Sequence, residues 1–488
     1  MAQGVVEFLG GPLGRFAEVG RSRVWTPLRA LIAIAWVFVS FGVLSKANCA
    51  GGIKTENGMA LNWAGNRQYT SFCYNDITPL YEGRGLNEPG FVYAYSWTEG
   101  DLTRYMEYPV LAGLFQGAMG WITRNTYALV DDFLPAAGWY FYLTALVLAI
   151  MWVCTIRMVA ELAGNRIWDT VLVAASPLLI VHAFTNWDIP SIMLLTGALL
   201  AARNKRYWLA GVLIGAGTAV KLWPLFVLGA YLIVAIRRRK FMPFVKMLIS
   251  AVVTWLVVNV PIMLTYPDAW REFTRLNSER SWEWTTIYAV IARATDWAGF
   301  DGGATPPVIL NSVSFLLFAG SCLAIFLLGL QAKDTPRVAE LLFLIVAAFL
   351  LFNKVWSPQY SLWLVIPAAL ALPRWRLLFA WMTVDMMVWP ILMWHMMGTD
   401  NKGAPGELLN LIILVRDGFI IALVVLVVMQ ILGRIPDKVA DAHYGHDPLL
   451  TTPDVWGKKD SSCSPQQPFS GSSPSSSPSS SLPRPSTP

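Results

Sequence analysis

The sequence is short of charge. Acidic and basic residues make up 14% of the 488, against 55% that are hydrophobic, whereas a soluble domain carries about 25% charged residues. A water-soluble enzyme is excluded on that ground. Histidine occurs four times, at His182, His395, His443 and His446, and the five cysteines are scattered. Neither shows the close Cys/His spacing of a metal site. Also missing are a Gly-rich nucleotide loop, an Asp-x-Asp triplet and any repeat at a fixed period. ATP-driven transport and diphosphate-sugar chemistry thereby lose their usual signatures, and neither metal nor cofactor is expected. The net charge of +6 does not mark a nucleic-acid binder, because the basic residues fall in short clusters between oily runs.

What the sequence has instead is apolar runs of membrane-crossing length. An all-α polytopic membrane protein is expected. Thr26 to Ser45 opens it; Ala47-Asn48-Cys49-Ala50 is a poor cleavage site, so this first helix is retained. Further spans are expected at 137–157, 168–185, 188–203, 207–221, 222–237, 245–265, 307–331, 336–353, 359–373, 376–396 and 407–432. That makes about twelve, with both ends inside. Arg157/Arg166, Arg203/Lys205/Arg206, Arg237-Arg238-Arg239-Lys240, Lys333/Arg337, Arg374/Arg376 and Arg434 then share one side, the cytoplasmic one. Residues 1–26 form a cytoplasmic segment, 27–432 the membrane domain and 433–488 a cytoplasmic tail. From about 461 that tail is nearly all Ser and Pro, too polar to fold.

Two long segments remain outside, 46–136 and 266–306. In the first, Tyr108 to Ile122 is apolar but short, which suits a helix lying on the membrane surface. The stretch Cys73 to Pro109 is the long polar interval of the first half, with Asp76, Glu82, Glu88, Glu99, Asp101 and Glu107, two arginines (Arg84, Arg104) and six tyrosines. Carboxylates for hydroxyls and aromatic rings for sugar faces suit a carbohydrate; an ordinary folded loop has the same composition. Cys49 and Cys73 flank its start and would pair in an oxidising compartment.

Ionisable groups at membrane depth are costly and tend to be paired or functional. Asp188 (in Asn186-Trp187-Asp188), Lys221 (in Lys221-Leu222-Trp223-Pro224) and Lys354 (in Asn353-Lys354-Val355-Trp356) fall at one level beneath the outer segments, each beside a tryptophan. A shared cavity is expected there. Asp385 and the Arg416-Asp417 pair lie deeper and suit helix-to-helix pairing.

The ordered set Asp76 with Tyr81, Glu107-Tyr108-Pro109, Asn186-Trp187-Asp188, Lys221-Leu222-Trp223-Pro224 and Trp356-Ser357-Pro358-Gln359-Tyr360 resembles the GT-C glycosyltransferases of actinobacteria, family 87. That family includes polyprenol-phosphate-mannose-dependent α-mannosyltransferases of phosphatidylinositol mannoside, lipomannan and lipoarabinomannan synthesis. The likeness runs over roughly residues 27–432, with Val110 where relatives often carry a second proline.

The resemblance implies a GT-C fold in a bacterial cell membrane. A sugar leaves a polyprenyl-phosphate donor for a hydroxyl of a lipid-linked glycan acceptor on the extracytoplasmic side, with membrane lipids as the remaining partners. Asp76 matches the family's first-loop aspartate and is the implied general base. Lys221, Lys354 and Arg104 are the candidates for the leaving phosphate, Asp188 and Glu107 for sugar hydroxyls or for orienting the cations, and Trp223, Trp356 and Tyr360 for the walls. An arabinofuranosyltransferase using decaprenyl-phosphoryl-arabinose has the same donor chemistry. A lipid-linked sugar transporter would also account for the spans, but calls for a symmetry this chain lacks, and a non-catalytic membrane subunit stays open.

Overall fold

The computed structural model describes residues 25–56 and 58–452. The expected N-terminal segment up to residue 24 and the Ser/Pro stretch from 461 lie outside the described residues.

The first helix, α1 (Pro27–Ala50), starts where the sequence allows. Thr26 caps it, its hydroxyl accepting from the Arg29 amide at 3.3 Å, and Pro27 fills the first turn. It runs past the expected end at Ser45. Ser45 satisfies its hydroxyl on the Gly42 and Ile180 carbonyls, and Lys46 is buried and bonded rather than solvated. The first long connection therefore begins at Gly51. It holds the hairpin of β1 (Gly52–Thr55) and β2 (Gly58–Leu61), the short helix α2 (Ile77–Gly83), the hairpin of β3 (Trp97–Glu99) and β4 (Leu102–Arg104), and α3 (Val110–Thr126).

After α4 (Ala136–Ala163) the expected span 168–185 is broken. A 3-10 turn (Gly164–Thr170) and one α turn (Val171–Ala174) precede α5 (Pro177–His182); Pro177 has no amide to carry a helix through. There follow α6 (Ile189–Arg203), α7 (Tyr207–Val220), α8 (Val227–Arg238), α9 (Met242–Thr265), α10 (Pro267–Glu279), α11 (Ile287–Thr295), α12 (Val308–Gln331), α13 (Val338–Phe352), α14 (Leu362–Ala371), α15 (Trp375–His395), α16 (Gly406–Ile431) and α17 (Lys438–Ala442).

Among the described residues six helical stretches are long and apolar enough to cross a membrane: α1, Ala136–Ala174, α9, α12, α15 and α16. Shorter α6, α7 and α13 are apolar and largely buried among their neighbours, as befits helices with no polar stripe. Contact is closest where side chains vanish. A Cβ at Gly211 or Gly215 of α7 would run into the carbonyls of Met247 or Ala251 on α9, the small-residue packing that bilayers favour.

Hydrogen bonds sort the helix ends into two groups. At one end Arg203 reaches the Glu161 carbonyl, Arg237 the carbonyls of Leu330, Ala332 and Lys333, and Arg337 those of Leu370 and Ala371. Most of the basic clusters gather there. The chain also stays ordered past residue 432 at this end: Arg337 pairs with Asp437 at 2.6 Å, Asp447 accepts from the Val338 amide, and Asn165 bonds His443. Residues 433–452 thus belong to the packed body, because buried Val439, His443 and Leu449 give them something to lose in water. The other end carries the two long connections.

Candidate active site

Asp76 stands at the N-cap position of α2. Its amide donates to the Thr185 carbonyl at 2.8 Å, which ties it to the short turn between α5 and α6. Asn75, fully buried, caps the helix instead, accepting from the Thr78 amide at 2.9 Å. The Asp76 carboxylate is left for other partners: Tyr74 donates to Oδ1 at 2.9 Å and Asn186 to Oδ2 at 2.7 Å. Each oxygen keeps a further lone pair.

Asn186 is a hub. Its Nδ2 also donates to the Tyr108 hydroxyl at 3.0 Å, and its Oδ1 accepts from the Trp187 amide at 2.6 Å and from Lys221 Nζ at 3.4 Å. Lys221 lies 3.4 Å from Asp188 Oδ1, which accepts from Trp363 Nε1 at 2.9 Å as well. The Lys221 ammonium is 5.3 Å from the centroid of the Tyr360 ring and 5.8 Å from that of Tyr108. Tyr360 stacks on Trp363 at 4.1 Å and Trp363 on Trp223 at 5.4 Å. Backbone breaks make this convergence possible: Pro190, Pro224 and Pro358 each fall in the first turn of a helical element beside the site, where a missing amide costs no hydrogen bond, and Lys221 and Ser357 take extended backbone just ahead of two of them.

Above this floor opens a cavity of about 340 Å³, lined by both aromatic and charged groups. Asp76, Tyr108, Asn186, Lys221 and Tyr360 line its floor, and Arg84, Glu107, Phe273, Leu276 and Arg280 are among its other lining residues. Arg84 pairs with Glu107 at 2.8 Å and covers the Trp97 ring at 4.3 Å; Arg280 pairs with Glu283 at 2.9 Å. Next to it, an apolar pocket of about 350 Å³ is lined by residues of α3, α4, α6 and α7, with Trp187 and Val220 at its edge. Those two residues adjoin Asn186 and Lys221 in sequence, so the polar and apolar spaces are neighbours.

Burial pushes the Asp76 carboxyl above the usual carboxylate range, while bonds from Asn186 and Tyr74 and the Lys221 charge pull it back. The Asp76 charge in turn holds the Tyr74 phenol protonated far above its ordinary range. Burial raises Glu283 too, against the opposing pull of Arg280. Among the described residues no three His, Cys, Asp or Glu groups are arranged to hold a metal ion.

Of the residues singled out by sequence, Asp76, Glu107, Lys221 and Tyr360 line the cavity. Asp188 stands behind Lys221. Lys354 is turned away, its ammonium donating to the Arg280 carbonyl. Arg104 ties the two long connections together, 2.9 Å from buried Glu272 of α10. Trp223 is buried against Trp363 with its Nε1 on the Ser191 hydroxyl at 2.9 Å, and Trp356 is buried beneath the Arg416 guanidinium, 3.5 Å from it; neither is a wall. Asp385 and Arg416 are fully buried, and Arg416 bonds its neighbour Asp417 at 2.9 Å. Cys49 and Cys73 are joined as a disulfide. Asn186 and Tyr74 lie in the stretches the sequence marks but carry no expected role there, and Arg280 and Trp363 are not marked at all. The one signal for Arg280 was its place in a Trp- and Arg-rich connection.

A comparison with curated proteins finds no match. The family model of Glycosyltransferase family 87 matches residues 107–358, more than half of the chain, from Glu107 at the cavity to Pro358 beside Tyr360. The chain belongs to glycosyltransferase family 87 and is a membrane glycosyltransferase.

Proposed function

We propose that the chain moves mannose from a polyprenyl-phosphate donor to a hydroxyl of a lipid-linked cell-envelope glycan of the lipomannan or phosphatidylinositol mannoside type. The observation that carries this reading is the Asp76 carboxylate, held by Tyr74 and Asn186 in a cavity that Lys221 and Arg280 also line. Asp76 accepts the proton of the acceptor hydroxyl as its oxygen bonds the anomeric carbon. The bond from that carbon to the phosphate oxygen breaks, and Lys221 and Arg280 meet the charge that develops on the departing lipid phosphate. Arg84, Glu107 and Tyr360 hold the sugar. The adjoining apolar pocket supports a lipid-linked donor, since it has almost no polar lining to offer a soluble nucleotide.

The reading places the cavity on the extracytoplasmic face of a bacterial plasma membrane, in a GT-C-type fold. Two observations support that side: most of the basic clusters lie at the opposite end, and the disulfide lies at the cavity end. The test is transfer by purified protein from radiolabelled polyprenyl-phosphate-mannose, and separately from the arabinose donor, to a lipomannan-type acceptor. Mannose transfer that falls by about 10²–10⁴-fold in Asp76→Asn is the expected result. Transfer only from the arabinose donor replaces the sugar, and undiminished turnover in Asp76→Asn removes Asp76 as the base.

A further inference from the structure

Residues 72–76 are tied down one after another. The Phe72 carbonyl accepts from Trp389 Nε1 of α15 at 2.7 Å; Cys73 is cross-linked to Cys49 of α1; the Tyr74 carbonyl accepts from Lys46 Nζ of α1 at 2.9 Å; the Asp76 amide is held by Thr185. Lys46 and Cys49 are three residues apart and so share a face of α1. Phe72 itself takes a left-handed φ of +54° although it is 41% exposed, a conformation that persists only where the surroundings impose it.

Lys46 is the unexpected member. It is 0% exposed, forms no ion pair among the described residues, and lies over the Trp389 ring, 4.0 Å from its centroid. Buried His182 meets the edge of the same ring at 5.4 Å, with neither of its nitrogens bonded among the described residues. A methionine would fill this space without desolvating an amine. What the amine adds is the bond to Tyr74, whose hydroxyl in turn holds the Asp76 carboxylate.

We propose that Lys46 is a positioning residue for the Asp76 carboxylate, acting through Tyr74 and braced from the far side by Trp389. It does not line the cavity and touches no substrate. The inference rests on the reading of Asp76 as the base. Losing the tether lets the 72–76 segment drift by a fraction of an ångström, which misaligns the base without changing the groups that bind the donor.

The experiment is steady-state transfer from polyprenyl-phosphate-mannose by the full-length protein in lipid nanodiscs. Lys46→Met is expected to lower kcat by about 10²-fold, the cost of a misplaced reacting group, with the donor KM unchanged. Trp389→Phe keeps the ring under Lys46 but loses the bond to Phe72, and carries the same kcat-only signature; it decides the matter if Lys46→Met does not fold. Adding Lys46→Met to Tyr74→Phe should cost much less than it costs in the wild type, because both act on one carboxylate. An unchanged kcat in Lys46→Met, a loss confined to KM, or full additivity with Tyr74→Phe overturns the proposal. If Asp76→Asn also keeps its turnover, it is the assignment of the base that has failed.

Discussion

Asn186 Nδ2 lies 2.7 Å from Oδ2 of Asp76, although 110 residues separate the two. A hydrogen bond to a carboxylate favours its charged form, so this contact works against the burial that raises Asp76. Replacing Asn186 by Leu removes it. The acid limb of the kcat–pH profile, where Asp76 takes up its proton, should then move to higher pH, with kcat near neutrality falling about tenfold. An acid limb left in place would detach Asn186 from the base.

Lys221 and Arg280 should separate in their effects. Arg280 lines the cavity and, among the described residues, forms one ion pair, with Glu283, so Arg280→Gln removes a charge-assisted contact worth about 1.5–3 kcal/mol and raises the donor KM by tenfold or more. Lys221 also faces Asn186 and Asp188. Lys221→Met is expected to lower kcat as well and to shift the acid limb upward, since Asp76 loses a neighbouring cation. Equal KM-only effects would reject the distinction.

The apolar pocket gives a chain-length expectation. Met193 and Leu194 line it and lie away from the polar cavity. Met193→Trp fills the space at an overpacking cost of about 1–3 kcal/mol. The KM for a long polyprenyl-phosphate sugar should rise by about an order of magnitude, while a donor with a one- or two-isoprene chain is barely affected. A uniform change across chain lengths would mean that the lipid lies elsewhere.

Lys354 offers a test outside catalysis. Burial, with Arg280 beside it, brings its ammonium down to about 8. The folded lysine thus releases its proton at lower pH than the unfolded one, and between these values the unfolded state binds more protons. Stability therefore rises with pH across that window. Thermal midpoints of the wild type should increase from about pH 8 toward 10 relative to Lys354→Met, and transfer should survive the substitution far better than in Lys221→Met. Parallel pH curves would refute the first expectation, and equal losses of activity the second.

Much of the fold could be read from the order of apolar runs, because a helix in lipid must satisfy its backbone internally and so needs a continuous stretch of suitable length. The run 168–185 was misread for a local reason. Its hydropathy is that of a span, but Pro177 divides it, and the resulting turn at Thr185–Asp188 is what carries Asn186 to Asp76. The first helix runs past Ser45 to Ala50 because Lys46 finds a partner inside the fold, its ammonium donating to a carbonyl 28 residues away.

Membership of the cavity was less accessible. Lys221 and Lys354 occupy matching places in the sequence, each at a helix end, each near a tryptophan and a proline. One lines the cavity floor and the other bonds the back of the Arg280 segment. Trp223 and Trp356 have neighbouring aromatic and polar residues like those of Tyr360, yet Trp223 packs on Trp363 and Trp356 lies under Arg416.

By itself the sequence determined that this is a helical membrane protein, which ends of its helices carry the basic clusters, and which interval holds the acids and tyrosines, since those follow from transfer energies summed along the chain. Only the tertiary structure decided which of these groups meet. Side-chain direction at a broken helix end depends on a few dihedral angles and on partners more than 100 residues away, and no one-dimensional pattern encodes them.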